Sequence, residues 1–228
     1  MSVNARDDGG PWARAALVGI VAYVAIDVAL VFLRPHFSVL HNAESDYGSN
    51  GRYAWLMDLN FVLRCLLSLA VVRALAVTVR QPRLRAALGL LAVWAICSGL
   101  LAFFPDDPVG TRTHGLAEVH LALAGIAFVC VLLGTRLATR ALRREQHWRP
   151  VIVPLTVLSW GALVPVLLLG HAHLRPHTLG GLYEKLFLAV ELAWLLVAAA
   201  WITASHGAEA AAESTHGRPA GNVLPRSS

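Results

Sequence analysis

FPDDPVGTRTHGLAEVH, residues 104–120, is the stretch from which the fold can be read. An apolar run ends at Phe104, Pro105 breaks it, Asp106 and Asp107 follow, and His114 opens the next apolar run. Proline ends a helix because it lacks a backbone N–H and its ring collides with the preceding turn, while Gly110 frees the chain to reverse. A polar reversal between two long apolar runs predicts two helices joined at one end.

The same alternation extends in both directions. Hydrophobic residues make up 57% of the chain against 14% charged, and the mean hydropathy is +0.59, too apolar for a water-soluble domain. A hydrocarbon core of about 30 Å is crossed by about 20 helical residues. Six segments approach that length: 13–33, 55–79, 84–104, 114–136, 150–170 and 181–204. The predicted fold class is therefore all-α, a polytopic bundle of six transmembrane helices. The first segment is too long for a signal-peptide core and has no clear small-residue cleavage site before Arg34, so it is read as a mature helix. Residues 1–12 are expected to form a disordered lead and 205–228, small, polar and proline-bearing, a disordered tail, with 13–204 as the membrane domain.

Arginines set the expected orientation, since positively charged short loops stay on the cytoplasmic side. Arg80, Arg83 and Arg85 follow the second helix, and Arg136, Arg140, Arg143, Arg144 and Arg149 follow the fourth. The alternate connections carry few cations, diluted by acids and histidines. Both termini are therefore placed in the cytoplasm, and the loops at 34–54, 105–113 and 171–180 face outward from a cell membrane. The basic pI of 9.6 then follows from topology and from attraction to lipid head groups, and the lipid bilayer, with no nucleic acid, is the expected partner. Cys65, Cys97 and Cys130 fall inside predicted spans without CxxC spacing, which makes them packing residues with no disulfide expected.

Ionisable groups at membrane depth are costly, so those that remain there face the bundle interior and mark either function or a fixed polar network. Asp27, Asp58, Arg64, Glu118 and Glu191 form the candidate buried network. Asn60, Arg64 and Ser68 recur every four residues and share a helix face. Arg64 lies about 13 Å beyond Trp55 at 1.5 Å per residue, and Asp27 and Glu191 are its first candidate partners. The first outward loop carries His36, His41, Glu44, Ser45 and Asp46 and is long for a helix connection, although each residue alone reads as ordinary solvated loop. Gly48, Asn50 and Gly51 predict a turn back into the second helix. Pro154 and Pro165 predict a kink in the fifth, and Gly99 close helix approach in the third.

His114 and Glu118 lie one helical turn apart on a common face, while His120 points away by roughly 120°. With Asp106 or Asp107 and with His171 and His173 of the last loop they make a candidate zinc set of nitrogen and carboxylate ligands, without an HExxH or comparable closed motif. A metal-free polar cluster and a structural network are the alternatives.

RPHFSVLHNAESDYG after the first helix, FPDDPVGTRTHG between the third and fourth and GLYEKL opening the sixth occur in that order. Together they resemble the bacterial and archaeal membrane family catalogued as domain of unknown function 998, over about residues 15–204. The resemblance implies a multi-pass helical bundle, brings no activity with it, and marks Ser45, Asp46, Pro105, Asp107, His114 and Glu184. Lys185 stands where the family pattern would place an arginine, which weakens bidentate recognition there.

Two functional readings follow. In one, His114 and Asp107 act as base and orienter, with Ser45 and Glu184, in an intramembrane hydrolase or transferase acting on a lipid-like substrate, with or without a metal. In the other, favoured because Ser45 lacks a GxSxG context, the protein is a non-catalytic transporter, sensor or scaffold that meets a lipid or small molecule at its outer face.

Overall fold

The computed structural model describes residues 9–107, 115–173 and 178–216. These form α1 (Gly10–Leu33), α2 (Ala54–Thr78), α3 (Leu84–Leu100), α4 (Leu116–Leu142), α5 (Ile152–Gly161), α6 (Leu163–His173) and α7 (Gly180–His216), with short 3₁₀ turns at Ser45–Gly48, Leu101–Phe103 and Gln146–Val151. Six stretches are long and apolar enough to cross a membrane, α5 and α6 counting together as one. The chain is thus a multi-pass helical membrane protein.

Each boundary has a local cause. Pro11 sits in the first turn of α1, where its missing N–H is not needed. The fifth span breaks at Ala162 because Pro165 has no N–H to give the carbonyl of Gly161 and its ring crowds that carbonyl. Ala162 N–H to Leu158 and Val166 N–H to Ala162 bracket the gap. α7 continues as helix to His216, beyond the expected end at 204. The run AEAAAE is a strong helix former, and intrinsic propensity carries the helix past its apolar portion.

The helices follow one another around a ring, α1 on α2, α2 on α3, α3 on α4, and α7 returns to α1 while also packing on α5 and α6. Small residues set the first three of these approaches. A Cβ added at Gly19 would lie 2.8 Å from Leu67 Cβ, one at Gly99 3.0 Å from Cys65 Cβ, and one at Gly134 3.0 Å from Leu91. Such contacts draw helices together where lipid supplies no hydrophobic drive. Trp94, Phe187, Trp194 and Leu195 fill the centre. Val18, Val21, Val28 and Phe32 of α1 stay exposed, as a lipid-facing surface requires. The α1–α2 connection, Phe104–Asp107 after α3 and the first turn of α7 meet at one end of the bundle, and the arginine-rich connections after α2 and α4 lie at the other.

Candidate functional site

The loop after α1 folds into the bundle. Arg34 follows α1, and its guanidinium donates to the carbonyls of Tyr47, Ser49 (2.8 Å) and Asn50. Binding three carbonyls with one side chain curls the segment back over the helix end. Asn50 (φ 38°) and Gly51 (φ 105°) supply the left-handed turn into α2. Tyr47 and Glu44 each end only 2% exposed.

Glu44 meets Arg64. Its Oε2 accepts from Arg64 Nη1 at 2.9 Å and its Oε1 from the Tyr23 hydroxyl, and the same Nη1 lies 3.4 Å from the Tyr23 oxygen. Arg64, 4% exposed, also sits over the Phe61 ring at 5.2 Å. The expected partners, Asp27 and Glu191, are not the ones used. A loop acid reaches Arg64 because the loop descends between the helices, so depth counted along α2 overstates the distance to a loop residue. The polar stripe itself faces inward, with Asn60 and Ser68 fully buried.

The first turn of α7 clasps the same loop. Leu182 N–H donates to Leu40 O at 3.0 Å, Lys185 Nζ to Asn42 O at 2.6 Å, and Glu44 N–H to Glu184 Oε1 at 3.1 Å. Lys185 also lies 5.3 Å from the Tyr47 ring centre. Asp46 holds the turn from inside, accepting from Asn42 Nδ2 at 3.0 Å and Ala43 N at 2.8 Å. Burial raises its carboxyl above the ordinary value against these hydrogen bonds, and burial likewise raises the Tyr47 phenol.

The α3–α4 connection closes the third side. Ser45 Oγ donates to Asp106 Oδ2 at 3.1 Å, and Asp107 N–H to Asp106 Oδ1 at 2.9 Å. His120, 4% exposed, meets the Phe104 carbonyl through Nδ1 at 2.6 Å and packs edge-on to Phe61 at 6.0 Å.

These groups cap a cavity of about 450 Å³. Glu44, Ser45, Arg64, Asp106, His120 and Glu184 form its polar end, and Leu121, Phe128, Val166, Leu169 and Leu188 line its apolar part. α4 and α6 share no extended contact. Gly125 on α4 and Gly170 on α6 both line the cavity, both are exposed, and a Cβ on either would meet nothing within 4 Å. The cavity therefore opens sideways between these helices, toward lipid.

Of the residues singled out in the sequence, Glu44, Ser45, Arg64 and Glu184 line the cavity, and of the alternatives Asp106 and Asp107 it is Asp106 that does. His114 and the His173 side chain lie outside the described residues. Glu118 is exposed and so stands apart from the buried network expected of it, because α4 turns the His120 face inward. Asp27 and Asp58 are half-buried. Glu191 is 1% exposed and lies beside Thr135. The nearby Arg136 gives its Nε proton to Ser159 O at 3.2 Å and lies 4.6 Å from the Trp160 ring centre. Among the described residues no three His, Cys, Asp or Glu side chains are grouped to hold a metal ion, and His171 is exposed. Tyr23 and His120 were missed as site residues, and Glu44 was read as solvated loop. Tyr23 had a signal, since it stands one turn before Asp27 on the same face of α1.

Architecture and site define a six-span membrane protein with a cavity that is ionic at one end, apolar along its length and open on its flank. The family model described as "Protein of unknown function (DUF998)" matches residues 17–201, and the chain belongs to that family. No curated protein and no solved structure matches the chain.

Proposed function

We propose that the protein binds an amphiphilic, lipid-like molecule that enters from the bilayer between α4 and α6, and that it carries or senses this ligand without transforming it. The observation that carries this reading is the cavity of about 450 Å³, whose ionic end adjoins an apolar length. Its size falls in the range of about 300–1,000 Å³ usual for ligand sites, and its shape matches a head group joined to a chain. A non-catalytic role is supported by Ser45, whose proton goes to Asp106 and not to a histidine. The arginine-rich end supports an orientation with that end in the cytoplasm and the polar end of the cavity toward the outer surface of the cell membrane.

The test uses a photoactivatable long-chain probe in proteoliposomes. Wild-type protein is expected to be labelled on α4 and α6, and Gly125→Leu and Gly170→Leu to lose that labelling while unfolding at the wild-type temperature, since both side chains enter empty space. Labelling that survives both substitutions refutes the cavity as the site. Conversion of the probe to a cleaved or transferred product supports the hydrolase or transferase reading instead.

A further inference from the structure

The polar end of the cavity is unequal in what it offers a ligand. Ser45 gives its only proton to Asp106 and keeps oxygen lone pairs. His120 faces a carbonyl through Nδ1, so Nδ1 bears a proton, and in the neutral form of the ring Nε2 is left as an acceptor. Glu184 receives one hydrogen bond, from Glu44 N–H to Oε1. Three carboxyl groups, on Glu44, Asp106 and Glu184, share the lining with a single guanidinium, and Arg64 Nη1 is already held by Glu44. Lys185 lies outside the lining, its ammonium on the Asn42 carbonyl and near the Tyr47 ring, and offsets only part of the acid charge from there. Arg64 still has donors to give: it is 4% exposed, only its Nη1 is engaged by Glu44 and Tyr23, and its buried Nε has no partner among the described residues. A site with more acceptors than donors, and more carboxyl groups than guanidinium, favours a cation that brings several N–H donors over an anion.

We infer that the cavity selects amphiphiles whose head group carries a protonated amine, held by Glu184 and Asp106, with an adjacent ligand oxygen taking the Arg64 Nε proton. This rests on the amphiphile reading above and narrows it to one head-group chemistry. A simple long-chain amine and a phosphoethanolamine lipid both present that ammonium.

The experiment is native mass spectrometry of the full chain in a neutral detergent, titrated with hexadecylamine, hexadecanol, hexadecyl phosphate and a lysophosphatidylethanolamine. Hexadecylamine is expected to bind at least about tenfold more tightly than hexadecanol, the effect of one charge-assisted hydrogen bond, and hexadecyl phosphate most weakly. Glu184→Gln keeps an oxygen for the Glu44 N–H, and it should bring the amine to within about threefold of the alcohol. Asp106→Asn gives the same reading if Glu184→Gln does not fold. A lysophosphatidylethanolamine that matches or exceeds the amine points to a zwitterionic phospholipid, and a weaker one points to a simple amine. Equal binding of amine and alcohol by wild-type protein, or tightest binding of the phosphate, overturns the amine inference and leaves the amphiphile site standing. Retention of none of the four overturns both.

Discussion

Replacing Glu44 by leucine removes the acid that faces Arg64 and leaves a 4% exposed guanidinium without a counter-charge. Loss of one partner from a buried ion pair costs about 3–5 kcal/mol, and Glu44→Leu is expected in that range. Arg64→Leu should cost less, because Glu44 belongs to a loop that can swing back toward water. Glu44→Leu with Arg64→Leu removes both charges and should recover most of the loss, giving a coupling of about 2–4 kcal/mol. At about 1.4 kcal/mol per factor of ten, that is roughly 30- to 700-fold in the folding equilibrium. Tyr23→Phe takes one hydrogen bond from the charged Oε1 and should cost about 1.5–3 kcal/mol. Steric trapping in bicelles measures all four variants reversibly. Additivity of the two leucine substitutions within about 0.5 kcal/mol would refute the pairing as an energetic feature of the fold.

Arg34→Lys offers a point charge where a planar fork now serves the carbonyls of Tyr47, Ser49 and Asn50. Hydrogen exchange over residues 44–52 should quicken in that variant while α3 and α4 keep wild-type protection. Unchanged exchange would mean the fork does not hold the loop. In Gly181→Ala the new methyl would run into the backbone of Asn42, neither side of which can yield. A loss of about 1–3 kcal/mol is expected from such overpacking, read as a lower unfolding midpoint, and an unchanged midpoint counts against the close approach of α7 to the loop. Single cysteines at Arg52 and Arg85, both exposed, should react with an impermeant maleimide from outside and from the cytoplasm respectively. The reverse pattern would invert the orientation.

Much of the fold was open to sequence reasoning because its determinants are local. Apolar length fixed the spans to within a few residues at most ends, and Pro165 marked the break at Ala162. The polar stripe through Arg64 was also local, since positions four apart share a face whatever surrounds them. Its partner was not local. Glu44 lies in a segment whose histidines, serine and glycines read as solvated loop, and only the Arg34 fork and the α7 clasp turn that segment inward. The choice between the histidine faces of α4 was equally hidden. Periodicity shows that Glu118 and His120 project differently, but it takes Phe61 and the Phe104 carbonyl to decide which one is buried.

Tyr23, Glu44 and Arg64 all belong to α1, α2 and the loop between them, and this bears on the order in which the protein is made. A ribosome delivers the chain from its amino terminus, so an arginine whose partner lay in α7 would wait in the lipid for more than a hundred residues of synthesis. Here the counter-charge and its tyrosine precede Arg64 out of the ribosome, and the first hairpin carries its own neutralising group into the bilayer. Glu184 arrives with α7, after α4 and α6 are in place. The cavity is thus completed only once α7 has been translated.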